Sequence, residues 1–491
     1  MPGEIPDARF RLSHTFAIQP DLAVDAGPDR SILVGCNAEA AEAEAIFVGK
    51  HAEAPYRGVW MDVRGAHVLY VMGKRRSGKS YTLGAIAEGL VADNWVRQGS
   101  MKQGVLILDT MNVFLTMPYA VMETYSESAP AFQELRKWKI PASATPLTLI
   151  TPSGRDLPGD LTGEGITLRA SDLGIEEWCG LFEVDPFVDP MGHLITAIHS
   201  KIAREGVADR STGQTIPPRT VFSLADMIAA LDQDRDIQGF PRETREALRR
   251  RLEALGRVGL FGEQGLDVRR LLRPGHVSVL LLRDLDQELR AVMVSLIVKR
   301  MITLRALSEQ QERVIPIHLA KAEMYASVDP QRAAAERLKV ADCEQRAQAG
   351  LPRSCLIIDE AHNYIPARGT PPSRKPLVKY VNEGRNLGLS IVVATQQPSG
   401  LDPAIQRNAD MLLVHALSHH DDIAAAQGMI NTAVPDRITV DGKYQIIGGR
   451  SFEAMVRSLP IGYAIASTDR GNRLFPIRVR PRSTVHGGGD Y

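Results

Sequence analysis

From residue 67 onward, short uninterrupted apolar runs alternate with helical patterns: "HVLYVM", "GVLILD", "LTLIT", "VSVLLL", "SCLIID", "SIVVAT" and "MLLVHAL". Runs of this length, apolar on both faces, suit buried parallel strands. Strands alternating with helices predict an α/β fold with a mainly parallel sheet. Before that texture begins, "TFAI", "SILVG", "AIFVG" and "GVWMDV" are separated by Gly, Pro and Asp, which predicts a small β-rich N-terminal region over 1–60, with "AEAAEAEA" as a short helix within it. The core then runs over 61–491. Between 170 and 260 the strands stop and four helical patterns follow: "SDLGIEEWCGLF", "PMGHLITAIHSKIAREG", "SLADMIAALDQD" and "PRETREALRRRLEALG". The third opens on a capping-box variant, Ser223 to Asp226. The fourth places Pro241 at a first helical position. These predict a helical bundle inserted in the core at 170–260. A second insertion, polar and rich in Ala, Arg and Gln, spans about 307–350.

Composition narrows the class without deciding it. The chain has 491 residues, 44% hydrophobic and 24% charged, which is ordinary for a globular protein. Its formal net charge is +0, so no global field draws it to nucleic acid or to an anionic membrane, and any such contact must come from local basic patches or from assembly. Cys36, Cys179, Cys343 and Cys355 are scattered, with no metal-ligand spacing and no disulfide framework, which fits a reducing cytoplasm. The N-terminus is charged where a signal peptide needs an apolar stretch, and no run approaches the roughly 18 apolar residues of a membrane span. The expected location is cytoplasmic, with no membrane contact.

The first chemistry lies at residues 73–80, "GKRRSGKS", which fits G-x-x-x-x-G-K-[ST]. A buried run precedes it and "YTLGAIAEGL" follows as a helix. This is the strand–loop–helix context in which backbone N–H groups and a helix N-terminus face an anion. Gly73, Lys74, Arg75, Arg76, Ser77, Gly78, Lys79, Ser80 and Tyr81 are the expected ATP cradle. Lys79 would reach the β and γ phosphates, and Ser80 would hold Mg²⁺.

Such a loop needs a carboxylate from the end of another buried strand, and hydrolysis needs a group that polarises water. "CLIIDEAHNYIP" offers both: Asp359 for Mg²⁺ and Glu360 for the attacking water's proton. The run "LSIVVATQQP" ends on Thr395, Gln396 and Gln397, and an amide at that strand tip, Gln396, would sense the γ-phosphate. Arg385, between Gly384 and Gly388, is expected in an accessible turn. It reads either as a finger on a neighbouring subunit's nucleotide or as a structural arginine.

Taken together, "GKRRSGKSYTLG", "IIDEAHNYIP", "EGRNLGLSIVVATQQPSGLDPAIQRNAD" and "FPIRVRPRSTVHGG" resemble the HerA–FtsK superfamily, and HerA-type ATPases within it, over most of the chain from residue 60. The resemblance implies a RecA-like P-loop core with an inserted helical bundle, assembled as a homo-oligomeric ring, usually a hexamer. It implies ATP and Mg²⁺ as cofactors, duplex DNA as partner, translocase or helicase activity, and a nuclease or defence effector as a further partner. It also implies the family's ATP-site roles for Lys79, Ser80, Asp359, Glu360 and Gln396, and favours Arg385 as a trans finger. The chain departs from the family in its short N-terminal region. It departs again at Asp109-Thr-Met-Asn112, where the family carries a second acidic group, and at Gln397, where an arginine is frequent.

Three basic segments, "LRKWK" (135–139), "LRRRLEALGR" (248–257) and "VRRLLRPGH" (268–276), are candidates for phosphate contact; Arg136, Lys137 and Lys139 around Trp138 lead among them. "DEAH" also names a motif of two-domain helicases, but too little chain follows it for a second such domain. The competing class is a nucleotide-gated scaffold ATPase that activates a partner effector without pumping DNA.

Overall fold

The computed structural model describes residues 11–12, 32–35, 44–52, 55–91, 96–97, 102–152, 156–430, 437–440, 443–446, 451–468 and 473–488. The strands that organise it are β1 (Ile32–Val34), β2 (Ala45–His51), β3 (Gly58–Asp62), β4 (Val68–Met72), β5 (Gly104–Asp109), β6 (Leu147–Pro152), β7 (Gly163–Ile166), β8 (His276–Leu281), β9 (Ser354–Ile358), β10 (Leu389–Thr395), β11 (Met411–Val414), β12 (Tyr463–Thr468) and β13 (Arg473–Val479). With the short strand Val96–Arg97 they form one 14-stranded sheet, in the order β1-β3-β2-β13-β12-β11-β4-β10-β9-β5-β8-β6-β7. From β7 to β11 every pairing is parallel; from β11 through β12, β13, β2 and β3 the strands run antiparallel. This is a RecA-like α/β core.

The central parallel strands β4, β5, β9, β10 and β11 are buried along their length because both faces are covered. Along β4, Val68, Tyr70 and Met72 enter one core, while Leu69 and Val71 enter the other. The period-two alternation of a strand thus feeds two layers. On one face lies α1 (Lys79–Val91), with Leu83, Ile86 and Leu90 against the sheet. A further helix, α2 (Ala129–Trp138), packs at the antiparallel edge.

The other face carries the 170–260 helices, α3 (Ile175–Leu181), α4 (Pro190–Ser200), α5 (Leu224–Gln233) and α6 (Arg242–Val258), between β7 and β8. Trp178 is fully buried there and stacks on Phe261 at 5.8 Å. Ser223 Oγ accepts from Asp226 N at 3.2 Å, and Asp226 Oδ2 accepts from Ser223 N at 2.8 Å, closing the capping box. Pro241 stands at the N-cap of α6, one place before the first helical position that its ring suggests.

The strands before residue 63 lie at the edge of the main sheet, where β2 pairs with β13, Gly49 opposite Val479. Of the early runs, "TFAI" and most of "AEAAEAEA" lie outside the described residues. The polar stretch from 307 to 350 is a helical hairpin, α7 (Gln287–Tyr325) and α8 (Pro330–Gln348), in which α8 packs along α7. No described helix is long and apolar enough to cross a membrane.

Candidate nucleotide site

The loop from Gly73 to Gly78 leaves the C-terminal end of β4 and enters α1 at Lys79. Two glycines are required by its shape. A Cβ at Gly73 would lie 2.4 Å from Ser77 Oγ and 2.7 Å from His415 Cβ, so the loop closes tightly only without one. Gly78 has φ +106°, a left-handed conformation costly for any other residue. Lys74, Arg75 and Arg76 are exposed, whereas Ser77 and Lys79 are buried. The Ser77 hydroxyl is buried yet makes no hydrogen bond. Tyr81 faces the C-terminal tail, its hydroxyl accepting from Arg482 N at 2.7 Å.

Lys79 Nζ donates to the Lys74 carbonyl at 3.1 Å, across the loop's own mouth. Burial lowers its pKa; Glu360 and Asp359 pull it back up. An arriving phosphate would replace a neutral carbonyl with an anion, a stronger charge-assisted partner.

Strand β10 lies beside β4 and β9 beside β10, and their C-terminal ends bring the other groups in. Ser80 Oγ donates to Asp359 Oδ2 at 2.7 Å, joining positions 279 residues apart. Burial raises the Asp359 pKa, against the Ser80 hydrogen bond that lowers it. Glu360 turns sharply out of the strand at φ +51°. Its Oε1 accepts from Gln396 Nε2, while its buried Oε2 makes no hydrogen bond and lies 3.5 Å from His362 Nδ1. His362 Nδ1 is also 3.1 Å from Thr395 Oγ1. Gln397 is exposed, its N–H bonded to Thr395 Oγ1 at 3.0 Å.

The structure thus brings Lys79, Ser80, Asp359, Glu360 and Gln396 to one place. Arg385 it does not. That residue occupies the last turn of α9 (Arg374–Leu387), not a turn between elements, and its Nη2 pairs with Asp410 Oδ2 at 3.0 Å. The "GRNLG" glycines suggested an open turn, but only Gly388 ends the helix, as a left-handed C-cap.

Two groups at the site had no role assigned to them from the sequence. Asp109 ends β5, beside β9, and is buried. Its carboxylate accepts from the N–H groups of Met111, Val113 and Phe114, at 3.1, 3.1 and 2.7 Å, and burial pushes its pKa up to about 6. The signal was available: "GVLILD" ends on an acid as "SCLIID" does. His415 follows β11 and sits under the loop, Nε2 3.0 Å from Thr82 Oγ1 and Nδ1 2.8 Å from the Tyr463 carbonyl. Burial pushes its pKa down to about 4, so it is neutral.

The residues fit a Mg²⁺–nucleotide. The donor set beside the loop is hydroxyl and carboxylate oxygen, which suits a hard cation. Among the described residues no group of three or more His, Cys, Asp or Glu is placed to hold a metal alone. A P-loop site needs none, since phosphate and water oxygens complete the shell.

No protein-family model and no curated protein matches the chain. Among solved structures it is similar to VirB4 of Thermoanaerobacter pseudethanolicus, at 12% identity over 91% of this chain and 97% of that one, with a TM-score of 0.49. It is also similar to the bacterial conjugative coupling protein TrwBdeltaN70, at 12% identity over 88% of each chain and a TM-score of 0.46. A third is the genome packaging NTPase B204 from Sulfolobus turreted icosahedral virus 2, at 10% identity over 84% of this chain and 97% of that one, with a TM-score of 0.28. Likenesses this faint say nothing of activity or partners.

Proposed function

We propose that the protein is a Mg²⁺-dependent ATPase that works as a homo-oligomeric ring motor, of hexameric type, on duplex DNA. The core spans 61–491, with the helical bundle of 170–260 inserted in it. The observation that carries the reading is the 2.7 Å bond from Ser80 Oγ to Asp359 Oδ2 at the mouth of the Gly73–Ser80 loop. It joins the two oxygens that a P-loop Mg²⁺ requires, with Glu360 one residue further on.

Ser80 and Asp359 would hold Mg²⁺, which would supply positive charge against the phosphates. Lys79 exchanges the Lys74 carbonyl for phosphate oxygen. Glu360, one oxygen held by Gln396 and the other without a hydrogen bond, takes the proton of the attacking water. Gln396 links Glu360 to the loop that follows β10, so loss of the γ-phosphate has a route out of the site.

Support for a DNA partner is local. Trp138 lies under Lys50 Nζ at 4.5 Å and the Arg478 guanidinium at 5.5 Å, with Arg136, Lys137 and Lys139 beside it. The Lys50 pKa is lowered by burial first and then by the like charges of Arg478 and Lys139. That positive cluster suits phosphate. The other two basic segments are mostly neutralised: Arg249 pairs with Asp232 and Glu253, and Arg270 with Glu164.

One observation favours the second reading, a nucleotide-gated scaffold for a nuclease or other effector. The α7–α8 hairpin exposes Leu307, Ile317, Met324, Val328 and Leu338, and exposed apolar side chains at such density mark docking surfaces.

Steady-state ATP hydrolysis, titrated with long duplex DNA, separates the two. A motor turns over much faster with DNA; a scaffold shows nucleotide-dependent partner binding and little DNA effect. In the same assay Lys79→Ala should abolish tight ATP binding, and Glu360→Gln should retain binding while stopping turnover by roughly 100-fold or more. Unchanged ATP affinity in the first variant, or hydrolysis at the normal rate in the second, would remove the site assignment.

A further inference from the structure

Strands β4, β10 and β11 are neighbours and parallel. At their C-terminal ends stand Gly73, Gln396 and His415, the groups around the nucleotide loop. At their N-terminal ends stand His67, Ser390 and Asp410, and His67 is bonded to the other two. His67 Nδ1 lies 2.7 Å from Asp410 Oδ2, and its backbone N–H donates to Ser390 Oγ at 3.2 Å. Asp410 Oδ1 accepts from Val68 N at 2.9 Å. His67 Nε2 lies 3.1 Å from Asp62 Oδ2 at the end of β3. The cluster has a single half-exposed member. His67, Asp62 and Asp410 are all under 10% exposed, whereas the Arg385 side chain, held by Asp410 Oδ2 at 3.0 Å, is 44% exposed.

Arg385 therefore sits at the wrong end of the sheet to serve its own nucleotide. The length of β4, roughly 16 Å at about 3.3 Å per residue, separates the two. A guanidinium needed only to balance buried charge gains most from being buried with its partners. Here both oxygens of a buried carboxylate are fixed, one by backbone and one by an imidazole, and the arginine they hold faces outward.

We infer that Asp410 and His67 are positioning residues: they present the Arg385 guanidinium at the N-terminal end of the strands to the nucleotide phosphates of a neighbouring copy of this chain. The inference rests on the ring ATPase reading above. It adds how a trans finger is held, and that the strand bearing one copy's nucleotide loop also bears the support for the finger that copy offers its neighbour.

The test mixes two kinds of subunit. Lys79→Ala subunits keep Arg385 but cannot bind ATP tightly; Arg385→Ala subunits keep an intact nucleotide loop but lack the finger. Each alone should be inactive, and mixing should restore turnover at sites formed between them. Asp410→Asn is then placed on one side at a time. Added to the Lys79→Ala subunit, which donates the finger, it should lower restored kcat at least tenfold with the KM for ATP unchanged; His67→Gln there should act the same way. Added to the Arg385→Ala subunit, which supplies the nucleotide loop, it should leave restored turnover as it was. A defect of equal size on both sides, or on neither, overturns the positioning role, because a merely structural Asp410 would weaken β4 wherever it is changed. If Arg385→Ala alone hydrolyses ATP at the normal rate, the trans-finger part of the ring reading fails instead, and the two failures are told apart. Nucleotide affinity of unmixed Asp410→Asn and His67→Gln reports that each variant is folded.

Discussion

At the scale of single residues, His67 gives the cleanest prediction. It is buried between Asp62 and Asp410. Burial alone would lower its pKa, but the two carboxylates outweigh burial and raise it to about 9. A folded-state pKa raised from the ordinary 6.5 means the imidazolium stabilises the fold fully below pH 6.5, and that contribution is lost as pH rises through 9. The span corresponds to about 3 kcal/mol. His67→Gln should therefore be less stable than the wild type at pH 6, and the gap should close by pH 9.5. Urea unfolding at several pH values measures it, and a gap independent of pH would show that no charged imidazole is held there. The contrast with the nucleotide loop explains what could be read in advance. Lys79 and Ser80 announce themselves through the spacing of their loop, and Asp359 and Glu360 because they stand at the tip of an apolar run, where a polar residue has no other reason to be. His67 opens such a run and Asp410 precedes another, 343 residues away. At the beginning of a strand a polar residue is unremarkable, and only the register of β4 against β11 makes the pair meet. Arg385 was visible as a candidate, but not the carboxylate that holds it.

Among the elements, the C-terminal segment does the most that its sequence conceals. "RVRPRST" carries Arg480 and Arg482 across α1, where both meet the fully buried Glu88, at 3.0 and 3.4 Å. Ser483 N and Thr484 N donate to the same carboxylate at 3.1 and 3.2 Å. Burial would raise the Glu88 pKa, yet the two arginines, with Thr484 and Ser483, hold it below the ordinary range. The segment then runs on, Val485 N donating to the Tyr119 carbonyl and Gly487 N to that of Val113, so it straps α1 to the loop that follows β5. Removing one partner of a buried charge cluster typically costs about 3–5 kcal/mol, because the others stay buried without it. Glu88→Ala should lose stability on that order in urea unfolding. Because α1 begins at Lys79, ATP affinity measured by fluorescence titration should weaken in the same variant, although no residue of the cradle is touched. A change of less than about 1 kcal/mol would mean the strap is a surface feature. The motif resemblance marked this tail as belonging to the family's pattern, but a run of arginines reads as solvated until a buried acid is found for it. The N-terminal strands were hidden for a related reason. Their apolar runs were plain, yet β2 pairs with a strand more than 400 residues later, and no local pattern encodes that register.

For the whole molecule the question is how a chain of zero net charge would bind the polyanion that the proposed function calls for. Net charge governs the far field, but counterion release is governed by the phosphates actually neutralised. The fold assembles its positive cluster from three separate places: Lys50 on β2, Arg136 to Lys139 at the end of α2, and Arg478 on β13. Sequence pattern offered only the middle one. Lys50 and Arg478 sit opposite each other in the sheet register and share the face of Trp138, so each narrows the space in which the other's charge can be screened by protein. Glu134 offsets part of this through Lys137 and Arg478, at 2.8 and 2.6 Å, which leaves Lys50, Arg136 and Lys139 as the cations with most to gain from phosphate. If they contact duplex DNA, the slope of log affinity against log salt should become shallower by about 0.9 for each one removed, independent of DNA sequence. Lys50→Ala with Lys139→Ala should therefore reduce the slope by about 2 and weaken binding most at low salt. Hydrolysis without DNA should not change, since neither residue touches the nucleotide loop. Fluorescence anisotropy of a labelled duplex across salt concentrations measures the slope directly. An unchanged slope would remove this cluster from any DNA contact, and unchanged hydrolysis alongside a shallower slope would locate the contact at the antiparallel edge of the sheet, where α2 meets β2 and β13.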